Sequence, residues 1–303
     1  MMKCFAGILL LMAACGGGSS SPWVVQDVPG AGQGSTYALW VFADDDVWLG
    51  GKSAWNWDGA SWNEVALPGD GTYIGHFFGL APDDLWAAAS DRVFHWDGTA
   101  FTEVPAAEGL PFEAITAVWA ASSSDVWLAN GDNSKVYHYD GTTWTRETLQ
   151  FGMADALWGS GPDDIWLTGD FDTYHYDGTA WSRYEAPDFG PAPDGAYALW
   201  GAAADDVWAS SFFGLVHWDG TAWTETELRG QYNSMWGFGP NDIYAVGNRG
   251  VMAHFDGSEW NETDDHLTDR QNFTHVRGSS PDNLWATAVD FDTLSGLVLR
   301  LDN

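Results

Sequence analysis

Chemistry in this chain could come from eight histidines, 43 acidic residues, two cysteines and 21 tryptophans. Histidine could hold a metal or carry a proton, paired carboxylates could act as acid and base, and tryptophan could stack on sugar rings. Spacing decides most of these cases. His95, His138, His175, His217 and His254 each stand just before an aromatic-Asp-Gly triplet, such as Trp96-Asp97-Gly98 or Trp218-Asp219-Gly220. Groups that recur once per structural unit are held apart by that unit, so these five are expected to serve structural hydrogen bonds. Asp83-Asp84, Asp163-Asp164 and Asp205-Asp206 also share one slot, where Asp next to Gly or Pro reads as a turn former. His76, His266 and His275 alone fall outside the histidine slot. There is no Gly-rich phosphate loop, no Ser-centred elbow and no D-x-[DN]-x-[DN]-G loop. No cofactor is therefore expected. Calcium is the one candidate, because hard oxygen ligands are plentiful.

Charge narrows the partners. Eleven Lys+Arg against 43 Asp+Glu give a formal net charge of −32. Such a chain repels phosphate backbones and anionic lipid head groups, so nucleic-acid binding and electrostatic membrane docking are excluded. A neutral sugar or a basic protein patch is the expected ligand, in preference to an anion.

The slots come from a repeat. Trp48, Trp86, Trp127, Trp166, Trp208, Tyr244 and Trp285 recur about every 40 residues. Eight residues before each stands Trp40, Phe78, Trp119, Trp158, Trp200, Trp236 and, in the last unit, Arg277. Asp lies two residues before the second aromatic in six of the seven units. Further on come the aromatic-Asp-Gly turns, and four residues after their Asp another aromatic: Trp62, Phe101, Trp144, Trp181, Trp223 and Trp260. Asp-Gly between apolar runs is a hairpin signal, and Gly-Pro-Asp-Asp at 161–164 is a second tight turn. Each unit reads as four short strands, which is a propeller blade. All 21 tryptophans fall in blade slots, so they read as core and are no sign of a lectin.

The seventh unit stops at its third strand, Leu299-Arg300-Leu301. Trp23 to Pro29 matches Trp62 to Pro68, with Trp six residues before Pro in both. An unpaired blade edge invites aggregation, and an N-terminal strand would cover it. The expected fold is all-β: a seven-bladed β-propeller of four-stranded blades, its ring closed by the N-terminal strand.

The first residues read as a targeting segment. Lys3 precedes an apolar run, Phe5 to Met12, too short to span a bilayer. Ala13-Ala14-Cys15 resembles the lipobox of bacterial lipoproteins, with Met12 where that family has Leu. The resemblance implies that Cys15 is acylated and becomes the mature N-terminus. Gly16 after it, in place of Asp, implies outer-membrane sorting. A Gly/Ser run to Ser21 then forms a flexible tether. The expected organisation is a signal peptide at 1–14, a lipidated cysteine and tether at 15–21, and the propeller at 22–303. The expected place is the cell envelope, periplasmic or surface-exposed, as a monomer.

Asp205-Asp206-Val207-Trp208 followed by His217-Trp218-Asp219-Gly220-Thr221-Ala222-Trp223 resembles Trp-rich bacterial propellers. Over 22–303 the pattern is similar to tectonin-type, kelch-like and photosystem-assembly-factor-like repeats. It resembles WD40 repeats less, since the Gly-His pair expected early in each repeat is absent. It also departs from the Asp-box of sialidases, which has Ser or Thr two residues before the Asp. Tectonin-type propellers are implied to bind glycans, and assembly-factor-like ones to hold protein partners.

Function is expected where the repeat breaks down. In such a ring the uniform Asp-Asp and Asp-Gly turns share one face. The second-to-third loops and the blade-to-blade connections share the other, and they vary. Loops on a rigid scaffold are the usual home of binding. Phe112, Phe189, Phe212 and Phe213 sit there without a slot to explain them, and Phe171, Asp172, Phe291 and Asp292 belong to two matching Asp-Phe-Asp-Thr loops. His275 and Arg277 replace repeat residues near the channel. These ten are the candidate ligand residues, and no catalytic residue is assigned. The expected function is a lipid-anchored, non-catalytic propeller that binds a glycan or a protein. The alternative is an extracytoplasmic glycan hydrolase or lyase with its acid and base at the channel mouth.

Overall fold

A computed structural model describes residues 22–29, 38–69, 72–131, 135–150, 152–169, 172–184, 196–211, 214–263 and 270–301. The described strands form seven antiparallel sheets of four. Blades 1 to 6 span 39–65, 74–103, 115–148, 154–183, 199–225 and 232–262, each in simple meander order. Blade 7 takes three strands from 271–301 and its fourth, Trp23–Val25, from the N-terminal side. Trp23 pairs with Leu301 and Val25 with Leu299, the register that Trp62 and Trp57 show in blade 1. The ring is closed as the repeat match predicts.

The Asp-Gly turns follow from local chemistry. Gly220 sits at φ +87°, which costs a residue without Cβ nothing. Asp219 Oδ1 accepts from the Thr221 hydroxyl at 2.6 Å and from the backbone N–H of Thr221 and Ala222 at 2.9 and 3.0 Å. These bonds, the hydroxyl first, hold the Asp219 carboxyl at about 2. Equivalent turns depress Asp58, Asp97, Asp140, Asp177 and Asp256 to the same value. A folded-state value below the ordinary one means stability that is complete above about pH 4 and lost as the pH falls toward about 2. Asp219→Ala should therefore trail the wild type in Tm by a constant margin near neutrality, and scanning calorimetry should see that margin close in acid. A margin undiminished at about pH 2 would mean the neutral acid serves the turn as well as the anion.

The histidine slot is structural, as its recurrence suggests. Nε2 of His95, His138, His175, His217 and His254 lies 2.6–2.8 Å from the aspartate two residues before the blade's second aromatic. Each imidazole also lies against that aromatic; His138 stacks on Trp127 with centroids 4.0 Å apart and an interplanar angle of 13°. Blade 1 replaces the pair with Asn56 donating to Asp46 at 2.7 Å. Between blades, edge-on indole contacts such as Trp48 on Phe101 and Trp208 on Trp260 fill the wedge.

Around the channel, blades lock by one aromatic and one small residue. The channel aromatic of each blade lies against the residue that follows the corresponding position in the next blade. A Cβ on Gly201 would meet Trp158 at 2.6 Å, and one on Gly237 would meet Trp200 at 2.4 Å. Trp40 and Trp119 approach Gly79 and Gly159 in the same way, and Trp236 Nε1 donates to Gly278 O at 2.8 Å. The two junctions without glycine lack the indole: Phe78 faces Ala120, and Arg277 faces the blade that carries Val41.

Candidate ligand site at the channel mouth

Seven inner strands line the central channel, and their two ends differ. Toward the uniform turns the wall is Trp40, Phe78, Trp119, Trp158, Trp200, Trp236 and Arg277. Toward the variable face it turns polar, with His76, Thr116, Asp155, Tyr197, Asn233, Ser234, His275 and Arg277. This mouth holds a cavity of about 140 Å³, smaller than the pockets that take drug-sized ligands and fit for a side chain or chain end, not a domain.

Arg277 joins the two halves. Its guanidinium lies over Trp236 at 5.1 Å and Trp40 at 5.7 Å, filling the gap left by the seventh aromatic. Nη1 donates to Val276 O at 2.7 Å, Ser234 Oγ at 3.1 Å and Met235 O at 3.4 Å. Protein surrounds it on every side except the channel lumen, and burial lowers its pKa to about 10. His76 lies equally deep, and burial, then the Arg277 charge, lowers it to about 4, so it is neutral at physiological pH. His275 Nδ1 lies 3.2 Å from Thr287 Oγ1. Ser234 also accepts from Val276 N–H at 3.1 Å, and Asn233 Nδ2 donates to Phe273 O at 2.7 Å, so neighbouring blades hold the wall rigid.

The structure gathers two of the ten candidates, His275 and Arg277, into this site. Phe112 is corrected. It is 5% exposed and packs edge-on against Tyr137 and Trp144, so it is core, filling the space beneath its loop. Asp172 lies 2.5 Å from Arg183, and Asp292 lies 2.5 Å from Arg270; neither lines the channel. Phe291 is half exposed on its loop, away from the channel lining. Phe171, Phe189, Phe212 and Phe213 lie outside the described residues, as do Cys15 and His266. Among the described residues no three His, Cys, Asp or Glu side chains gather to hold a metal ion. Sequence reasoning missed Asp155, Tyr197, Asn233 and Ser234. A signal existed: three residues before the channel aromatic the repeat reads Thr116, Asp155, Tyr197 and Asn233, a variable column in a constant frame.

Together the ring and its mouth define a seven-bladed β-propeller with one polar channel entrance. Known structures share that fold. YCF48 bound to D1 peptide superposes with TM-score 0.70 at 15% identity, covering 94% of this chain and 96% of that one. A catalytically inactive virginiamycin B lyase from Staphylococcus aureus with quinupristin gives 0.72 at 10% identity, covering 92% and 98%. The Neurospora crassa Pan2 WD40 domain gives 0.67 at 13% identity, covering 94% and 97%. At these identities the likeness is one of fold. No family model matches the chain, and no curated protein matches it.

Proposed function

We propose that this propeller is a non-catalytic binding module that takes a segment of a protein partner at the channel mouth and variable face. The observation that carries the reading is where apolar surface stays exposed. Of seven large apolar side chains exposed among the described residues, Met153, Tyr197, Phe291 and Leu294 lie on the variable face. Tyr197 is 48% exposed and lines the mouth itself. Exposed apolar groups beside a rigid polar pocket are what hot spots are built from. YCF48, bound to a peptide, offers a precedent for the fold. A glycan ligand, the other class expected from sequence, has weaker support, because the indoles are committed to blade packing. Two-carboxylate glycan hydrolysis asks for an acid and a base together; Asp155 is the one carboxylate among the described lining residues.

A photo-crosslinking residue at Tyr197 should capture a partner in the native cell, whereas one at Thr142 or Thr221, in the uniform turns, should not. Crosslinks confined to the turns would reject the assignment of faces. Lipid anchoring through Cys15 belongs to the same proposal and would place the binding face in the cell envelope, at the outer membrane. A diacylglycerol plus an amide-linked chain anchors stably, where a single chain is marginal. Cys15→Ser should shift the protein from the membrane to the soluble fraction. Absence of labelled fatty acid from the wild type would sink the anchor.

A further inference from the structure

We propose that the channel mouth is a receptor for a peptide carboxylate, held by Arg277, with the apolar neighbour of that carboxylate lying on Tyr197. The inference rests on the binding function proposed above and names the group that the site selects.

Arg277 is a part-buried cation on the channel wall, and no described residue is its counter-ion. Every hydrogen bond it makes to the described residues leaves from Nη1, and each acceptor is neutral. Nε is buried without an acceptor. Nη2 donates to none of the described residues, and no carboxylate among them forms an ion pair with the guanidinium. A guanidinium has five donors in a planar fork, suited to carboxylate. Withdrawing a charge even partly from water without pairing it has a cost, which is offset when an anion arrives. The chain carries 43 acidic residues, yet none of the described ones forms an ion pair with this cation.

Packing accounts for part of residue 277. The next blade carries Val41 in place of glycine, which leaves no room for an indole. That packing needs only a slimmer side chain, such as Phe or Met. The packing does not need a charge. The Arg277 charge also reaches His76, where it adds to burial in lowering the imidazole pKa.

The rest of the mouth sets the number of charges and the setting of the carboxylate. Asp155 stands on blade 4, across the ring from blade 7, and repels a ligand of several negative charges. The chain's net charge of −32 acts in the same sense. A single carboxylate at the deep end, with an apolar side chain on half-exposed Tyr197, satisfies both. A peptide supplies this pair of groups from adjacent atoms, as a C-terminus or as an acidic side chain; a uronic acid supplies the charge without the apolar group.

The test titrates the full chain with acetyl-Gly-Phe, its C-terminal amide, acetyl-Glu-Phe-amide and glucuronate, followed by NMR of the His76 and His275 imidazoles. At least one of the two carboxylate peptides should bind tenfold or more tightly than acetyl-Gly-Phe-amide, and which one does so separates a chain end from a side chain. Binding should raise the His76 pKa from about 4, because an anion now offsets Arg277; a merely structural arginine would leave that titration unmoved. Arg277→Met keeps the stem against Trp40 and Trp236 and should abolish the preference for carboxylate over amide. If that variant fails to fold, the wild-type His76 titration decides alone. Equal binding of acid and amide, glucuronate binding as well as the peptides, or no binding of either peptide would overturn the proposal. Partner crosslinks at Tyr197 that persist beside such a result would leave the binding function standing and sink only the carboxylate. Loss of both would sink the function itself.

Discussion

Trp23→Ala should lower the unfolding free energy by about 3–5 kcal/mol, the usual cost of deleting a buried indole. Trp23 is 6% exposed and packs at 5.5 Å on Phe273, within a cluster that also holds Val246, Leu284 and Leu301. It belongs to the strand that completes blade 7, and its cluster joins that blade to blade 6, so the loss falls at the junction of the last two blades. Removing the strand altogether, in a chain beginning at Gly30, should do more. The Ser295–Leu301 strand would then present its unpaired edge to solvent, and open edges recruit other chains. Urea unfolding of Trp23→Ala should show a lower midpoint with an unchanged slope, and the shortened chain should aggregate. A synthetic peptide covering 22–29 should restore solubility in trans, because the closure is non-covalent. An unchanged midpoint in both variants would mean that three strands suffice for the last blade.

Much of this architecture is legible in the sequence, because a repeat states each rule seven times. The Asp-Gly turns, the eight-residue aromatic spacing and the borrowed strand all appear at the expected register. The five slot histidines bond their aspartates, as the recurrence argument requires. The site was harder to see. Phe112 looked like a spare aromatic because no repeat partner explained it, yet a loop also needs a core, and Phe112 supplies one between Tyr137 and Trp144. Asp172 and Asp292 looked like paired ligand loops, but each answers a nearby arginine. Tyr197 and Asp155 gave no signal one residue at a time. They matter because seven inner strands bring a single column of the repeat around one axis, and that convergence is a property of the ring.

Charge shows the same division between chain and site. A net charge of −32 argues against anionic ligands on average. Screening confines that average to about 8–10 Å at ordinary ionic strength, so a buried group answers mainly to its own surroundings. At the channel mouth those surroundings are Arg277, a neutral His76, neutral hydrogen-bond partners and, across the ring, Asp155. Local potential there is set by the guanidinium of Arg277 on one side of the ring and the Asp155 carboxylate on the other, more than by the surface average.

The aromatic-to-glycine lock yields the second large effect. Gly237→Ala places a Cβ 2.4 Å from Trp200, a distance that side chains do not tolerate. The indole is held in the channel wall and cannot swing away without moving blade 5, so overpacking should cost about 1–3 kcal/mol. The protein itself shows the remedy at one junction, where Phe78 meets Ala120. Trp200→Phe combined with Gly237→Ala copies that junction and should recover part of the loss. The coupling between the two sites should be about 1–2 kcal/mol, within the range for residues in direct contact. Trp158→Phe with Gly237→Ala is the control: Trp158 lies on Gly201, a different junction, so its effect should simply add. Urea unfolding of the single and double variants measures both cycles. Additivity at Trp200 and Gly237 would show that blade spacing adjusts freely, and the correlation of Trp with Gly, Phe with Ala and Arg with Val around the ring would then have no packing cause.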